Sequence, residues 1–102
     1  MNVLLDARTA IPRFPGIGRY ADELAAALSG VFVKSGDRLT LIGNSACKHR
    51  FASTANVSVV ECDVAPDAPE SREALSRILE TVKPDLYHTP HRMCQPLVGI
   101  PT

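Results

Sequence analysis

The order of strand and helix patterns near the start of this chain limits the folds that it can adopt. Residues 2–6, NVLLD, form a nearly continuous apolar run, which is typical of a strand buried on both faces of a parallel sheet. From Ile17 to Val31, apolar side chains recur at the spacing of an amphipathic helix. Between the two, Pro12 and Pro15 exclude a helix or a central strand. A strand, a loop and a helix in this order predict an α/β fold.

The first helix is expected to bury one apolar stripe and to end at a glycine. Gly30, or Gly36 after a frayed turn, is the expected stop. The side chains expected to face the core are Ile17, Tyr20, Ala21, Leu24, Ala25, Ala27, Leu28 and Val31.

Three further apolar runs predict strands, at residues 38–43, 57–61 and 85–90. Right-handed crossovers then favour a Rossmann-like partial parallel sheet of order 3-2-1-4 with flanking helices, which is half of a doubly wound fold. Ligands in such sheets bind outside the carboxyl ends of the strands, where the strand order reverses. We therefore expect a crevice between the first and fourth strands.

A second helix is predicted between the third and fourth strands. Asp67, with Glu70 three residues later and Pro69 between them, resembles a capping box at a helix start. Pro84 is expected to stop this helix at or near Lys83. Its predicted apolar stripe is Ala74, Leu75, Ile78, Leu79 and Val82.

Composition argues against several classes of protein. The 102 residues carry a formal net charge of zero without a basic cluster, which argues against nucleic acid as a partner. No apolar run approaches the ~18 residues that a transmembrane helix needs. Cys47, Cys62 and Cys94 lack the spacing of a disulfide framework, which favours a reduced, cytosolic setting.

The loop before the first helix, FPGIGRY, is a candidate anion site. A helix amino terminus leaves amides without partners and favours negative charge. Gly16 and Gly18 would let a ligand approach the backbone closely, and Arg19 would add a contact to phosphate or carboxylate. The alternative is a tight turn, with Gly18 giving close packing of the helix on the sheet and Arg19 solvated. Ala21 stands where the dinucleotide fingerprint has its third glycine.

The segment YHTPHRMC holds a second group of candidates. His88, His91 and Cys94 are spaced three residues apart, and imidazole and thiolate are zinc ligands. Pro90 opposes a helix that would align them, and no fourth ligand is evident. The other interpretations are that the histidines line the crevice, or that a partly buried histidine is satisfied by backbone.

Acidic and basic residues flank the predicted strands as well. Asp6 ends the first strand and Arg8 follows it, so that both are expected at the crevice. Alternatively, the Asp6 carboxylate caps the loop by accepting hydrogen bonds from the loop's own backbone amides. Asp85 opens the fourth strand at the opposite end of the sheet and is expected to be structural. Catalytic residues are not assigned, because no nucleophile stands beside a base.

Two segments resemble a known family when taken together. VLLDARTAIPRFPGIGRYADELAAAL resembles the opening of bacterial GT-B glycosyltransferases of family 4, and PDLYHTPHRMCQPLVGIPT resembles their fourth strand. The resemblance implies two Rossmann-like domains facing across a cleft. It also implies transfer of a sugar from a nucleotide-diphosphate sugar to the hydroxyl of a glycan or lipid-linked acceptor, with retained configuration and without a resident metal or other cofactor.

Carried over to this chain, the resemblance assigns two sets of residues. Substrate or phosphate binding would fall to Gly16, Ile17, Gly18 and Arg19, and lining of the cleft to Asp6, Arg8, His88 and His91. Surface polysaccharide assembly is the implied process. The implied location is the cytoplasm, with peripheral attachment to the inner membrane as an alternative for the full-length protein.

The resemblance further implies that residues 1–102 are the N-terminal part of the acceptor-side domain, with the donor domain absent. This fragment alone is expected to be inactive. The edge of its fourth strand is expected to make it a homo-oligomer. The alternative functions are a stand-alone flavodoxin-like module that binds a phosphate or nucleotide, and a zinc protein.

Overall fold

A computed structural model describes residues 1–48, 51 and 56–90 of the chain, and it has the predicted α/β architecture. The elements are β1 (Asn2–Asp6), α1 (Pro15–Ser35), β2 (Arg38–Gly43), β3 (Val57–Glu61), α2 (Ser71–Val82) and β4 (Leu86–His88). The four strands form one parallel sheet in the order β3-β2-β1-β4. The predicted Rossmann-like partial sheet is therefore confirmed.

The two helices cover opposite faces of this sheet. Alternate residues of β1 point to opposite sides, and they pack with different helices. Val3 and Leu5 pack with Ala25 and Phe32 of α1. Leu4 packs instead with residues of α2, and the buried members of that cluster are Leu4, Ile42, Cys62, Leu75, Leu79 and Tyr87. The predicted stripe of α2 is confirmed, since Leu75 and Leu79 are buried and Ala74, Ile78 and Val82 pack against the cluster.

The stripe predicted for α1 is partly wrong, and its member Ala27 is exposed. Ile17, Tyr20 and Val31 are 42%, 52% and 57% exposed. Each of them directly precedes a buried residue, which is Gly18, Ala21 and Phe32 respectively. One residue turns an α-helix by about 100°, so a side chain one step before the buried stripe points towards its flank.

The ends of the helices differ in part from the predictions. Gly36, with φ +79°, ends α1 in the left-handed conformation, and its N–H bonds the Phe32 carbonyl at 3.2 Å. Lys83, with φ +51°, ends α2 directly before Pro84, as predicted. The capping box at Asp67 is wrong, because α2 begins at Ser71 and the side chain of its N-cap residue, Glu70, makes no capping hydrogen bond.

The fourth strand is shorter than predicted, at Leu86–His88, and Asp85 lies just before it. The Asp85 carboxylate accepts a hydrogen bond from the backbone N–H of Asn2 at 2.8 Å. This contact ties the amino-terminal ends of β1 and β4 together and confirms the structural role predicted for Asp85.

Candidate functional site

The strand order reverses at β1, which lies between β2 and β4. Because α1 and α2 cover opposite faces, the chain leaves the carboxyl ends of β1 and β3 in different directions. This arrangement opens a crevice at the carboxyl end of the sheet. Residues 7–14 cross that end between β1 and the start of α1. The loop before the first helix therefore lies at the carboxyl end of the sheet, as expected.

Consecutive tight turns shape this loop. The N–H of Ala10 bonds the Ala7 carbonyl at 3.1 Å, and the N–H of Phe14 bonds the Ile11 carbonyl at 3.1 Å. Pro15 then opens α1, and its N-cap residue, Phe14, makes no side-chain capping hydrogen bond. Gly16 and Ile17 in the first turn are both exposed, and amides in a first turn have no partner within their helix.

The two glycines of the loop have different surroundings. A Cβ at Gly18 would lie 2.3 Å from the Thr9 carbonyl oxygen and 3.0 Å from that of Ile11. Gly18 therefore lets α1 pack directly on the backbone of the loop, so the close packing that was predicted against the sheet is made against the loop instead. A Cβ at Gly16 would meet no atom of the described residues within 4 Å, so nothing in that part of the chain packs against Gly16.

A shallow cavity of about 250 Å³ lies beside this helix end. Arg19 supplies a cation to its lining and Asp22 a carboxylate. The Arg19 side chain is 82% exposed, and its Nε lies 3.3 Å from a carboxylate oxygen of Glu23. The lining consists of Ala10, Ile11, Pro12, Pro15, Gly18, Arg19 and Asp22.

Asp6 and Arg8 form a buried ion pair at the carboxyl end of β1. Arg8 Nη2 lies 2.7 Å from Asp6 Oδ2, and Arg8 Nε lies 2.9 Å from Asp6 Oδ1. The Arg8 side chain is 1% exposed and that of Asp6 is 0% exposed. The backbone N–H of Arg8 also bonds Asp6 Oδ1 at 3.2 Å, which is the local capping contact weighed for Asp6.

The guanidinium of Arg8 also reaches the element that follows β3. Its Nη1 donates to the Val64 carbonyl at 2.9 Å and to Ser71 Oγ at 3.1 Å. Burial alone would lower the pKa of Arg8, but the hydrogen bonds and the charge of Asp6 outweigh it and raise that pKa. Asp6 and Arg8 thus bind each other and join three segments beneath the crevice, and neither side chain is open to solvent.

The histidines predicted to line the cleft are described only in part. His88 ends β4, is half-buried, and lies in register with Leu5 of β1. Its neighbour Tyr87 donates to Asp6 Oδ2 at 3.4 Å. His91 and Cys94 lie outside the described residues. Within residues 1–48, 51 and 56–90, no three His, Cys, Asp or Glu side chains come together as a metal site.

An ion pair that the sequence analysis missed joins two loops at this end of the sheet. Arg13 Nη2 lies 2.5 Å from Asp67 Oδ2, and the Arg13 guanidinium lies 4.9 Å from the centre of the Phe14 ring. Nothing in the local sequence signals a contact between residues so far apart along the chain. The same ion pair uses the Asp67 carboxylate that was expected to cap α2.

Charged groups after β3 are held by neighbours in the β2–β3 connection. Asp63 accepts a hydrogen bond from the Ser45 N–H at 2.7 Å, which lowers the pKa of that carboxyl. The hydrogen bond between Lys48 and Glu61 raises the pKa of the lysine. Asp63 and Lys48 are therefore both charged at neutral pH, and neither has the pKa near 7 that suits a general acid or base.

The chain matches no protein-family model, no curated protein and no solved structure. In the described part of the chain, neither helix has the length and apolar character required to cross a bilayer.

Proposed function

We propose that the chain is the N-terminal part of the acceptor-side domain of a retaining GT-B glycosyltransferase, with the crevice beside β1 as part of its cleft. The observation that carries the proposal is the open amino terminus of α1 at the switch point of the sheet. There the exposed Gly16 and Ile17 adjoin a cavity that Arg19 lines. Anions bind at such helix ends in doubly wound folds.

In the proposed reaction, the bond between the sugar and the diphosphate breaks, and the diphosphate leaves with the electron pair. The oxygen of the acceptor hydroxyl forms the new bond to the same sugar carbon, and its proton passes to the departing diphosphate. The amides of Gly16 and Ile17 and the guanidinium of Arg19 would stabilise the negative charge of the diphosphate. The buried pair of Asp6 and Arg8 would hold the loop of residues 7–14, which leads into the helix that carries these groups. Catalytic residues are assigned to no part of this chain.

The first test is the reading frame that encodes this chain. The proposal requires that it continue past Thr102 into further strands and a second domain with the E-x7-E pair of glutamates. That protein should transfer sugar from a nucleotide-diphosphate sugar, whereas residues 1–102 alone should not. A stop codon directly after Thr102, or turnover by residues 1–102 alone, would contradict the proposal. The stop codon would leave the phosphate-binding module as the better interpretation.

Replacing Arg19 with alanine in the full-length enzyme is expected to raise the KM for the donor about 10- to 100-fold. The reason is that a hydrogen bond to a charged group contributes about 1.5–3 kcal/mol. Arg77→Ala is the matched control, because Arg77 is also exposed and contacts a glutamate one helical turn away, at 3.2 Å. Arg77 lies on α2, away from the loop of residues 7–14, so its variant should keep the KM of the wild type. Equal effects of the two variants would argue against a role for Arg19 in binding.

A further inference from the structure

A second cavity lies on the face of the sheet that α2 covers, at the amino-terminal ends of the strands. It has a volume of about 340 Å³, which is within the range of about 300–1,000 Å³ that is typical of small-molecule sites. The crevice of the proposed glycosyl transfer lies at the opposite ends of the same strands. The second cavity, which we call the amino-end cavity, is lined by Asn2, Arg38, Thr40, Ser58, Val60 and Val82.

Four polar side chains follow one another across three strands in the lining of this cavity. Asn2 of β1 is in register with Arg38 of β2, and Thr40 of β2 is in register with Ser58 of β3. Arg38 and Thr40 are two residues apart on one strand, so they lie on the same face of the sheet. Neighbouring strands are about 4.8 Å apart, and residues two positions apart along a strand are about 6.6 Å apart. One small molecule can therefore contact several of these side chains at once.

Two of the polar groups have no hydrogen-bond partner in the part of the chain that the structure describes. Thr40 is 7% exposed, and its hydroxyl bonds none of the described residues. Asn2 Oδ1 is buried and receives no donor from those residues either. Buried polar groups are nearly always hydrogen-bonded, because an unpaired one lowers stability. The two unpaired groups indicate a ligand that supplies hydrogen bonds in the amino-end cavity.

Among the described residues that line the cavity, Arg38 alone is charged. Asp37, its neighbour in the sequence, binds the amino group of Met1 at 2.9 Å, and this hydrogen bond lowers the pKa of the Asp37 carboxyl. Asp85 accepts a hydrogen bond from the backbone N–H of Asn2 at 2.8 Å. Arg38 is exposed and forms no ion pair with a described residue. Its guanidinium is therefore available to an anion.

We propose that the amino-end cavity binds a small carboxylate that carries several hydroxyl groups, such as a sugar acid. Arg38 pairs with the carboxylate. The two hydroxyls of the lining donate and accept hydrogen bonds, whereas Asn2 Oδ1 only accepts them. A ligand ammonium group would satisfy Asn2 but would be repelled by Arg38, so the ligand's donors are hydroxyl groups. Val60 and Val82 contact its carbon skeleton.

The proposal is tested by titrating the 102-residue chain with glucuronate and with gluconate, a cyclic and an open-chain sugar acid, while amide NMR spectra are recorded. With at least one of them, the amides of Asn2, Arg38, Thr40 and Ser58 should shift together with a single dissociation constant. Glucose lacks the charge and acetate lacks the hydroxyl groups, so each should bind at least tenfold more weakly. Shifts confined to residues 16–19 would place the anion at α1 and overturn the proposal without contradicting the proposed glycosyl transfer.

Substitutions then separate binding from folding. Thr40→Val removes the unpaired hydroxyl and nearly keeps the shape of the side chain. The variant should be at least as stable in urea as the wild type, because no bond to a described residue is lost, yet it should bind about three- to tenfold more weakly. Arg38→Gln should weaken binding about tenfold or more, because a hydrogen bond to a charged group is lost.

Arg77→Gln is the matched control, because Arg77 is an exposed arginine of α2 that does not line the cavity. This variant should bind the sugar acid as the wild type does. The proposal would be overturned if neither sugar acid shifted the amides of the cavity, if Thr40→Val bound normally, or if Arg38→Gln and Arg77→Gln had equal affinities. None of these outcomes bears on the proposed glycosyl transfer.

Discussion

Replacing Arg8 with methionine is expected to lower the free energy of unfolding by about 3–5 kcal/mol, which is the usual effect of removing one partner from a buried ion pair. The carboxylate of Asp6 would stay buried, at 0% exposure, without the guanidinium that now binds both of its oxygens. The Val64 carbonyl and Ser71 would lose their donor as well. Domains of this size are stable by about 5–15 kcal/mol in total. The variant should therefore unfold at a much lower urea concentration than the wild type.

Two further variants separate the charge from the shape of Arg8. Arg8→Lys keeps the charge but cannot supply the fork of donors that Asp6, Val64 and Ser71 share. We therefore expect it to be destabilised as well, by less than Arg8→Met. The double variant Asp6→Leu, Arg8→Met removes both charges and should recover most of the lost stability, because replacing a whole buried ion pair with apolar groups is often neutral.

The exposed ion pair of Arg13 and Asp67 provides the control for this series. Its side chains are 56% and 38% exposed, and exposed pairs contribute about 0–1 kcal/mol. Urea denaturation followed by circular dichroism should therefore give nearly the same midpoint for Arg13→Ala and for the wild type. An Arg8→Met variant that is as stable as Arg13→Ala would show that the buried pair does not hold the loop of residues 7–14 in place.

The strands and their order could be predicted because the signals for them are local or topological. Residues 2–6, 38–43 and 57–61 are short apolar runs between polar segments, and the structure places strands at the same residues. Right-handed crossovers then leave few possible orders. The exposure of Ile17, Tyr20 and Val31 could not be read from helical spacing, because the spacing defines a stripe but not which part of it meets the sheet.

The surroundings of the candidate site depend on contacts that the sequence does not signal. Arg8 meets Val64 and Ser71, which are distant in sequence, so its burial could not be distinguished from a position on an open cleft. Asp67 has the local pattern of a helix cap, yet Arg13 from another loop binds it. In both cases, contacts with residues distant in the sequence decide the surroundings of a charged side chain, and the local pattern does not show them.

Gly18→Ala is the second substitution from which we expect a large effect, a loss of about 1–3 kcal/mol in the free energy of unfolding. The new Cβ would lie 2.3 Å from the Thr9 carbonyl oxygen and 3.0 Å from that of Ile11. Both atoms belong to backbone, so the helix and the loop must move apart. Helix propensity alone predicts the opposite sign, because alanine favours a helix over glycine by about 1 kcal/mol.

Two glycines of the same helix provide matched controls, because a Cβ at Gly16 or Gly30 would meet no atom within 4 Å in the described part of the chain. Gly30→Ala should raise the free energy of unfolding by about 0.5–1 kcal/mol, and Gly16→Ala should not lower it. A Gly18→Ala variant as stable as Gly30→Ala would contradict the close packing of α1 on the loop. If the first turn of α1 binds the diphosphate, Gly16→Ala should also weaken donor binding in the full-length enzyme without loss of stability. The stability of the Gly18 variant and the donor affinity of the Gly16 variant therefore separate the structural role of this loop from its binding role.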